Sequence, residues 1–239
     1  MAQLKRKPLD PEARRQRWVD DFQTIKNDAI RLATHYGFFK KFMHMVRASP
    51  IADEKSYFWP WLYEAYTASA VVHVRRICEA ERKGGKANAD RTISLGLLLC
   101  EIRDCCDLLS LDWFKQRYCA RWALEGDCPA RADEEFWEVC GKGEAHLPRH
   151  IVEADINSLK CKTATIRNFV DKHIAHRDRN APMCARSIPI QDFDNAIDAI
   201  QKVISRYGSL LTCSDYMLEA TVLEGLGIFT KPWWDPRRT

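Results

Sequence analysis

The stretch IVEADINSLKCKTATIRNFVDKHI, residues 151–174, repeats an apolar position every three or four residues. The repeat consists of Val152, Ile156, Leu159, Thr163, Ile166, Val170 and Ile174. This spacing lines one face of an α-helix, so it predicts a long helix packed in a core. We expect the helix to begin near Pro148 and to stop by Asn180, because Pro182 disfavours helical backbone at Ala181.

The same period recurs along most of the chain. A long first helix follows the cap Asp10-Pro11 and has an apolar seam from Trp18 to Val46. Other helices are predicted from about Ser56 to Arg76, from Thr92 to Leu109, more weakly from Asp133 to Cys140, and from Gln191 to Leu211. Since no segment with a period of two is strong enough to form a sheet core, the expected fold class is an all-α bundle.

Two regions depart from the helical period. The region between the third and fifth helices is broken by Asp127-Cys128-Pro129 and by Gly141-Lys142-Gly143, which predicts an irregular insert. A short C-terminal tail follows Thr212, with a short strand pair expected around residues 220–229. We expect residues 1–50 to form a long helix that packs on the bundle and residues 51–239 to form the main helical domain.

Composition narrows the class of protein. The chain has 239 residues, of which 46% are apolar and 29% charged, and a net charge of +4, as in an ordinary globular protein. Its ten cysteines form no Cys-x-x-Cys pair and no zinc-like grouping with histidine, so no metal or other cofactor is expected. Without a secretory signal or an apolar run of membrane length, the sequence predicts a reduced, cytoplasmic, soluble protein.

The end of the fifth helix contains an unusual density of basic and titratable residues, IRNFVDKHIAHRDRN at positions 166–180. On an ideal helix Arg167 lies about 60° to one side of Val170, and His173 lies about 60° to the other. The two residues therefore border the buried face and point about 120° apart. A site that uses both needs a distorted helix end or a second copy of the helix.

The arrangement of Arg167, Asn168 and His173 resembles the signature of the HEPN superfamily, in which an arginine and a polar residue precede a histidine. The segments DKHIAHRD, residues 171–178, and RTISL, residues 91–95, are similar to its abortive-infection U branch. The resemblance covers Tyr57 to Leu211. It implies a HEPN-like all-α bundle that cleaves RNA without metal at a homodimer interface.

The resemblance also implies roles for particular residues. The catalytic group consists of Arg167, Asn168, His173 and His176, and the residues expected to contact RNA are Lys172, Arg177 and Arg179. Histidine transfers protons near neutral pH, and arginine binds phosphate oxygens through two parallel donors. Whether His173 or His176 is the catalytic histidine stays open. The expected setting is phage defence or a toxin–antitoxin system, with an antitoxin or regulatory protein as a further partner.

Simpler interpretations stand beside these. Arg167 is four residues from Asp171, a spacing at which helices commonly form an ion pair. Histidines near a helix C-terminus are favoured there by the helix dipole without any catalytic role. The alternative function is therefore a non-catalytic helical module that binds RNA or a protein.

Overall fold

A computed structural model describes residues 10–48, 57–80, 92–122, 128–175 and 188–214. Within these ranges the chain forms eight α-helices and no strand, so the predicted all-α fold class is confirmed. The helices are α1 (Pro11–Arg47), α2 (Phe58–Cys78), α3 (Leu95–Asp104), α4 (Leu111–Arg121), α5 (Cys128–Cys140), α6 (Arg149–Lys162), α7 (Ala164–Phe169) and α8 (Ile190–Thr212). A 3₁₀ turn (Cys106–Leu108) and a π-helical turn (Val170–Ala175) also occur.

The predicted first helix is confirmed as α1, which is continuous through Gly37. Its start is stabilised because the Asp10 carboxylate accepts a hydrogen bond from the backbone N–H of Glu12 at 3.2 Å. Most of its predicted seam is buried, including Trp18, Phe22, Ile25, Ala29, Leu32, Tyr36, Phe39 and Val46.

Helix α3 begins later than the sequence predicts, at Leu95 rather than Thr92. Ser94 fixes this start, because its side chain accepts from Leu97 N–H at 3.3 Å and donates to the Glu79 carbonyl at 2.6 Å. Gly96 allows this approach, since a Cβ built there would lie 2.5 Å from the Glu79 oxygen. The helix ends at Asp104, short of the predicted Leu109.

The region predicted as an irregular insert contains two helices. Ser110 caps α4 by accepting from Trp113 N–H at 3.2 Å, and the helix buries Trp113 and Phe114. Helix α5 begins at Cys128, five residues before the predicted Asp133. The α4 apolar stripe is short, which explains why periodicity alone did not detect it.

The expectation of a reduced protein does not hold for one pair of cysteines. A disulfide joins Cys119 of α4 to Cys128 of α5, whose Cα atoms lie 5.8 Å apart, within the range a disulfide spans. Three of the free cysteines in the described ranges are buried, namely Cys78, Cys140 and Cys213.

The fifth helix of the sequence is not one continuous element. It is divided at Thr163 into α6 and α7, and the π-helical turn follows α7 directly. The Thr163 hydroxyl is fully buried and donates to the Leu159 carbonyl at 2.6 Å, a bond that often bends helices. The strand pair expected around residues 220–229 lies outside the described residues.

The chain divides into two compact units. Unit 1 takes residues from the ranges 1–26, 79–158 and 202–216, and unit 2 from 27–78, 159–201 and 217–239. Buried residues of unit 1 include Trp18, Phe22, Leu99, Ile102, Phe114, Phe136, Val152 and Tyr207. Those of unit 2 include Leu32, Tyr36, Val71, Val74, Ile166, Val170, Phe193 and Ile200. The division at residue 50 stays a prediction.

None of the helices in the described ranges combines the length and the apolarity needed to cross a membrane.

Candidate functional site

The candidate site lies in unit 2, where α2 packs against α7 and the π-helical turn. Ile166 and Val170 are buried, at 0% and 4% exposure, and face the core as the sequence predicts. The Arg167 N–H donates to the Thr163 carbonyl at 2.9 Å, which makes the arginine part of the first turn after the break. The backbone therefore fixes Arg167 at the border of the buried face.

The Asp171 carboxylate is bound by Arg75 of α2, through a hydrogen-bonded ion pair. Only 22% of the Arg75 side chain is exposed, so it lies mostly within the contact between α2 and the π-helical turn. Arg75 was not identifiable from the sequence, because nothing in local spacing reveals a partner 96 positions away. The simpler interpretation, an Arg167–Asp171 pair, is not what the structure contains.

Among the described residues, no carboxylate pairs with the Arg167 guanidinium, which is half-buried. Its charge acts on the Cys78 thiol at the end of α2, which is 4% exposed. Burial raises the pKa of Cys78 to about 12, and the positive charge of Arg167 opposes that rise. The neighbouring thiol is thus neutral at physiological pH and supplies no negative charge to the arginine.

Two further predicted residues lie near Arg167 along the same helix. Asn168 and Lys172 are both exposed, as expected for positions on the outward face one turn apart. For His173 the structure describes the backbone, which belongs to the π-helical turn. His176, Arg177 and Arg179 lie outside the described residues.

The π-helical turn changes the relation between positions 167 and 173. It begins at Val170, between the two positions, and ends at Ala175, so it includes His173. A π-helical turn contains more residues than an α-helical turn, and each residue therefore rotates through less than about 100°. The two backbone positions move from about 120° apart toward opposite sides of the helix. The distortion increases their divergence instead of joining them.

Helix α2 also contacts α1. Arg76 binds Asp28 at 2.6 Å, so two adjacent arginines of α2 reach carboxylates on two different neighbours. His73 lies beside this pair, and burial lowers its pKa, with Arg76 and Arg31 acting in the same direction. The other charged or titratable groups that act on His73 are Asp28 and His35.

No group of three or more histidine, cysteine, aspartate or glutamate side chains within the described ranges is arranged to hold a metal ion.

An all-α bundle with an arginine and an adjacent asparagine on a buried helix that runs into a histidine-bearing turn is the arrangement of a HEPN domain. A model of the HEPN family described as AbiU2 matches residues 25–221, which is most of the chain, and the protein belongs to that family. The match begins inside α1, earlier than the expected Tyr57. Searches of curated proteins and of solved structures gave no match. Family membership suggests a role related to abortive infection.

Proposed function

We propose that the protein is a metal-independent endoribonuclease acting in phage defence or in a toxin–antitoxin system. The observation that carries the proposal is the state of Arg167. Its nearest helical carboxylate, Asp171, is bound by Arg75, and no other carboxylate in the described ranges pairs with it. A half-buried arginine that has no carboxylate partner among the described residues suits a ligand that brings its own negative charge, as the RNA phosphate does.

The proposed reaction uses the RNA's own 2′-hydroxyl as the nucleophile. A histidine removes its proton as the oxygen attacks phosphorus, and the bond to the 5′-oxygen of the next nucleotide breaks. A proton is delivered to that leaving oxygen, giving a 2′,3′-cyclic phosphate and a 5′-hydroxyl. Arg167 stabilises the charge on the phosphate oxygens, and Asn168 orients the RNA.

The proposed site is composite. Positions 167 and 173 diverge on one chain, so an arginine from one protomer and a histidine from another supply the two functions in a symmetric homodimer. Lys172, Arg177 and Arg179 add positive charge for the RNA backbone beyond the scissile phosphate. An active ribonuclease threatens its own cell, so we include an antitoxin or regulatory protein among the partners and place the protein in the cytoplasm.

The test is cleavage of an end-labelled RNA by purified protein in excess EDTA. We expect cleavage by the wild type and a loss of at least a hundredfold in rate for Arg167→Ala, about 2.7 kcal/mol of transition-state stabilisation. Arg31→Ala, which removes an exposed arginine of α1 in the same unit, is the matched control and should cut normally.

Retained cleavage in Arg167→Ala would contradict the assigned role. A wild-type protein that binds RNA or a protein but cuts nothing, with or without EDTA, would instead support the non-catalytic binding module.

A further inference from the structure

Unit 1 has a surface cavity of about 320 Å³ between α4 and the end of α8. It is lined by Arg117, Ala120, Arg121, Thr212 and Cys213. Arg117 and Arg121 are four residues apart on α4, so both project from one face of that helix into the same space. The volume suits a small ligand.

Within the described ranges, neighbouring cations pair with carboxylates and the two arginines do not. On the same helix Lys115 binds Asp133 at 2.6 Å, and Arg15 of α1 binds Glu12 at 3.0 Å. In the portion of the chain that the structure describes, neither Arg117 nor Arg121 pairs with a carboxylate. Like charges one turn apart repel each other, and an anion between them would offset that repulsion.

Aromatic rings orient both guanidinium groups. The Arg117 guanidinium lies 5.0 Å from the centre of the Trp113 ring, and that of Arg121 lies 5.8 Å from the Trp122 ring. The Nε of Arg117 is buried and has no hydrogen-bond partner. A buried donor without a partner is costly unless a ligand satisfies it.

The opposite wall of the cavity is the C-terminus of α8. Cys213 adopts a left-handed backbone with φ of 51°, a strained conformation for this residue type. Trp122 holds this turn, because its indole N–H donates to the Cys213 carbonyl at 3.1 Å. Burial raises the pKa of the Cys213 thiol to about 11, so the thiol stays neutral. Glu135 is the acidic group that acts on Cys213, and it lines the adjoining hollow with Tyr118 and Trp122.

We propose that this cavity binds the phosphate group of a small phosphorylated molecule. Two permanently charged guanidinium forks match a group with about two negative charges and three acceptor oxygens, which a phosphate monoester has and a single carboxylate lacks. The site is independent of the proposed RNA cleavage, since it shares no residue with it.

The test is calorimetric titration of the full-length protein with inorganic phosphate, with adenosine 5′-monophosphate, and with a short single-stranded RNA. We expect the monophosphate to bind, and Arg117→Met and Arg121→Met each to weaken binding by about tenfold or more. Arg131→Met, an exposed arginine on α5, is the matched control and should bind like the wild type.

Circular dichroism would reveal whether Arg117→Met unfolds the protein. Arg121 is exposed, so Arg121→Met should keep the fold and still tests the site in that case. Binding of phosphate and monophosphate that needs the arginines supports a small-molecule site. If only the RNA binds, and its binding needs the arginines, the cavity recognises the phosphate of an RNA backbone and the proposal of a small phosphorylated molecule is wrong. No binding of any probe, or equal binding by wild type and both variants, overturns the site.

Discussion

Asp171 is the helical carboxylate nearest in sequence to Arg167, although the two residues do not pair. Arg75 occupies the Asp171 carboxylate, and Arg75 is the more buried member of that pair. Without Arg75, the Asp171 carboxylate would be placed to pair with Arg167, which lies four residues earlier on the helix. The electrostatic state of the candidate site therefore depends on a residue of α2 that touches no proposed substrate.

The first prediction concerns this dependence. Arg75→Ala should lower RNA cleavage by several-fold, because the released Asp171 competes with phosphate for Arg167. Adding Asp171→Asn in the same chain should restore much of the lost rate, since the amide has no charge to offer. Both rates are measured on end-labelled RNA in EDTA.

If the double variant is no faster than Arg75→Ala, competition by Asp171 is not the cause. The remaining explanation for a slower Arg75→Ala enzyme is a loss of stability, which unfolding measurements can detect. Because 42% of the Asp171 side chain is exposed, breaking the pair should lower the free energy of unfolding by only about 1 kcal/mol.

The second prediction decides between the two histidines. His173→Ala should abolish cleavage and His176→Ala should retain most of it if position 173 supplies the proton transfer.

Arg167→Lys should also abolish cleavage, because lysine keeps the charge but loses the two parallel hydrogen bonds to phosphate. Product analysis should find 2′,3′-cyclic phosphate ends, and the reverse histidine result would move the role to His176.

At the scale of elements, the sequence predicts long helices well and short ones poorly. The α1 seam was predictable because its buried residues repeat over about eight turns, from Trp18 to Val46. Helix α4 was missed, since its buried core contribution is limited to Trp113 and Phe114. The sequence pattern was enough to propose Arg167 as a site residue, whereas the Arg75–Asp171 pair and the π-helical turn depend on tertiary packing that no local spacing encodes.

The third prediction belongs to the start of α3. Replacing a helical glycine by alanine usually stabilises a helix by about 0.5–1 kcal/mol. Gly96→Ala should do the opposite and destabilise the protein by about 1–3 kcal/mol, because the new methyl group meets the Glu79 backbone. Urea denaturation measures the difference, and an unchanged or higher free energy of unfolding would show that Glu79 moves away freely.

At the scale of the whole molecule, the fourth prediction tests the composite site directly. Arg167→Ala and His173→Ala chains are each expected to be inactive as homodimers. Mixed and allowed to exchange, they should recover about a quarter of the wild-type activity, since half the dimers are mixed and each mixed dimer has one intact site. Light scattering at micromolar concentration should give the mass of a dimer.

Sites formed within a single chain would give no recovery on mixing, because each mixed dimer would then contain two damaged sites. A monomeric mass at high micromolar concentration would likewise contradict the composite arrangement.

The adjacent arginines of α2 have a consequence for how that helix is set in its unit. Arg75 and Arg76 bind Asp171 and Asp28, which belong to two different neighbouring elements, the π-helical turn and α1. Neighbouring residues on a helix differ by about 100° in direction, so turning α2 about its own axis by one residue would bring one arginine into the direction of the other and leave one of the two carboxylates without its partner. Only one orientation of α2 satisfies both ion pairs, and the two contacts together therefore fix the rotation of the helix that packs against α7.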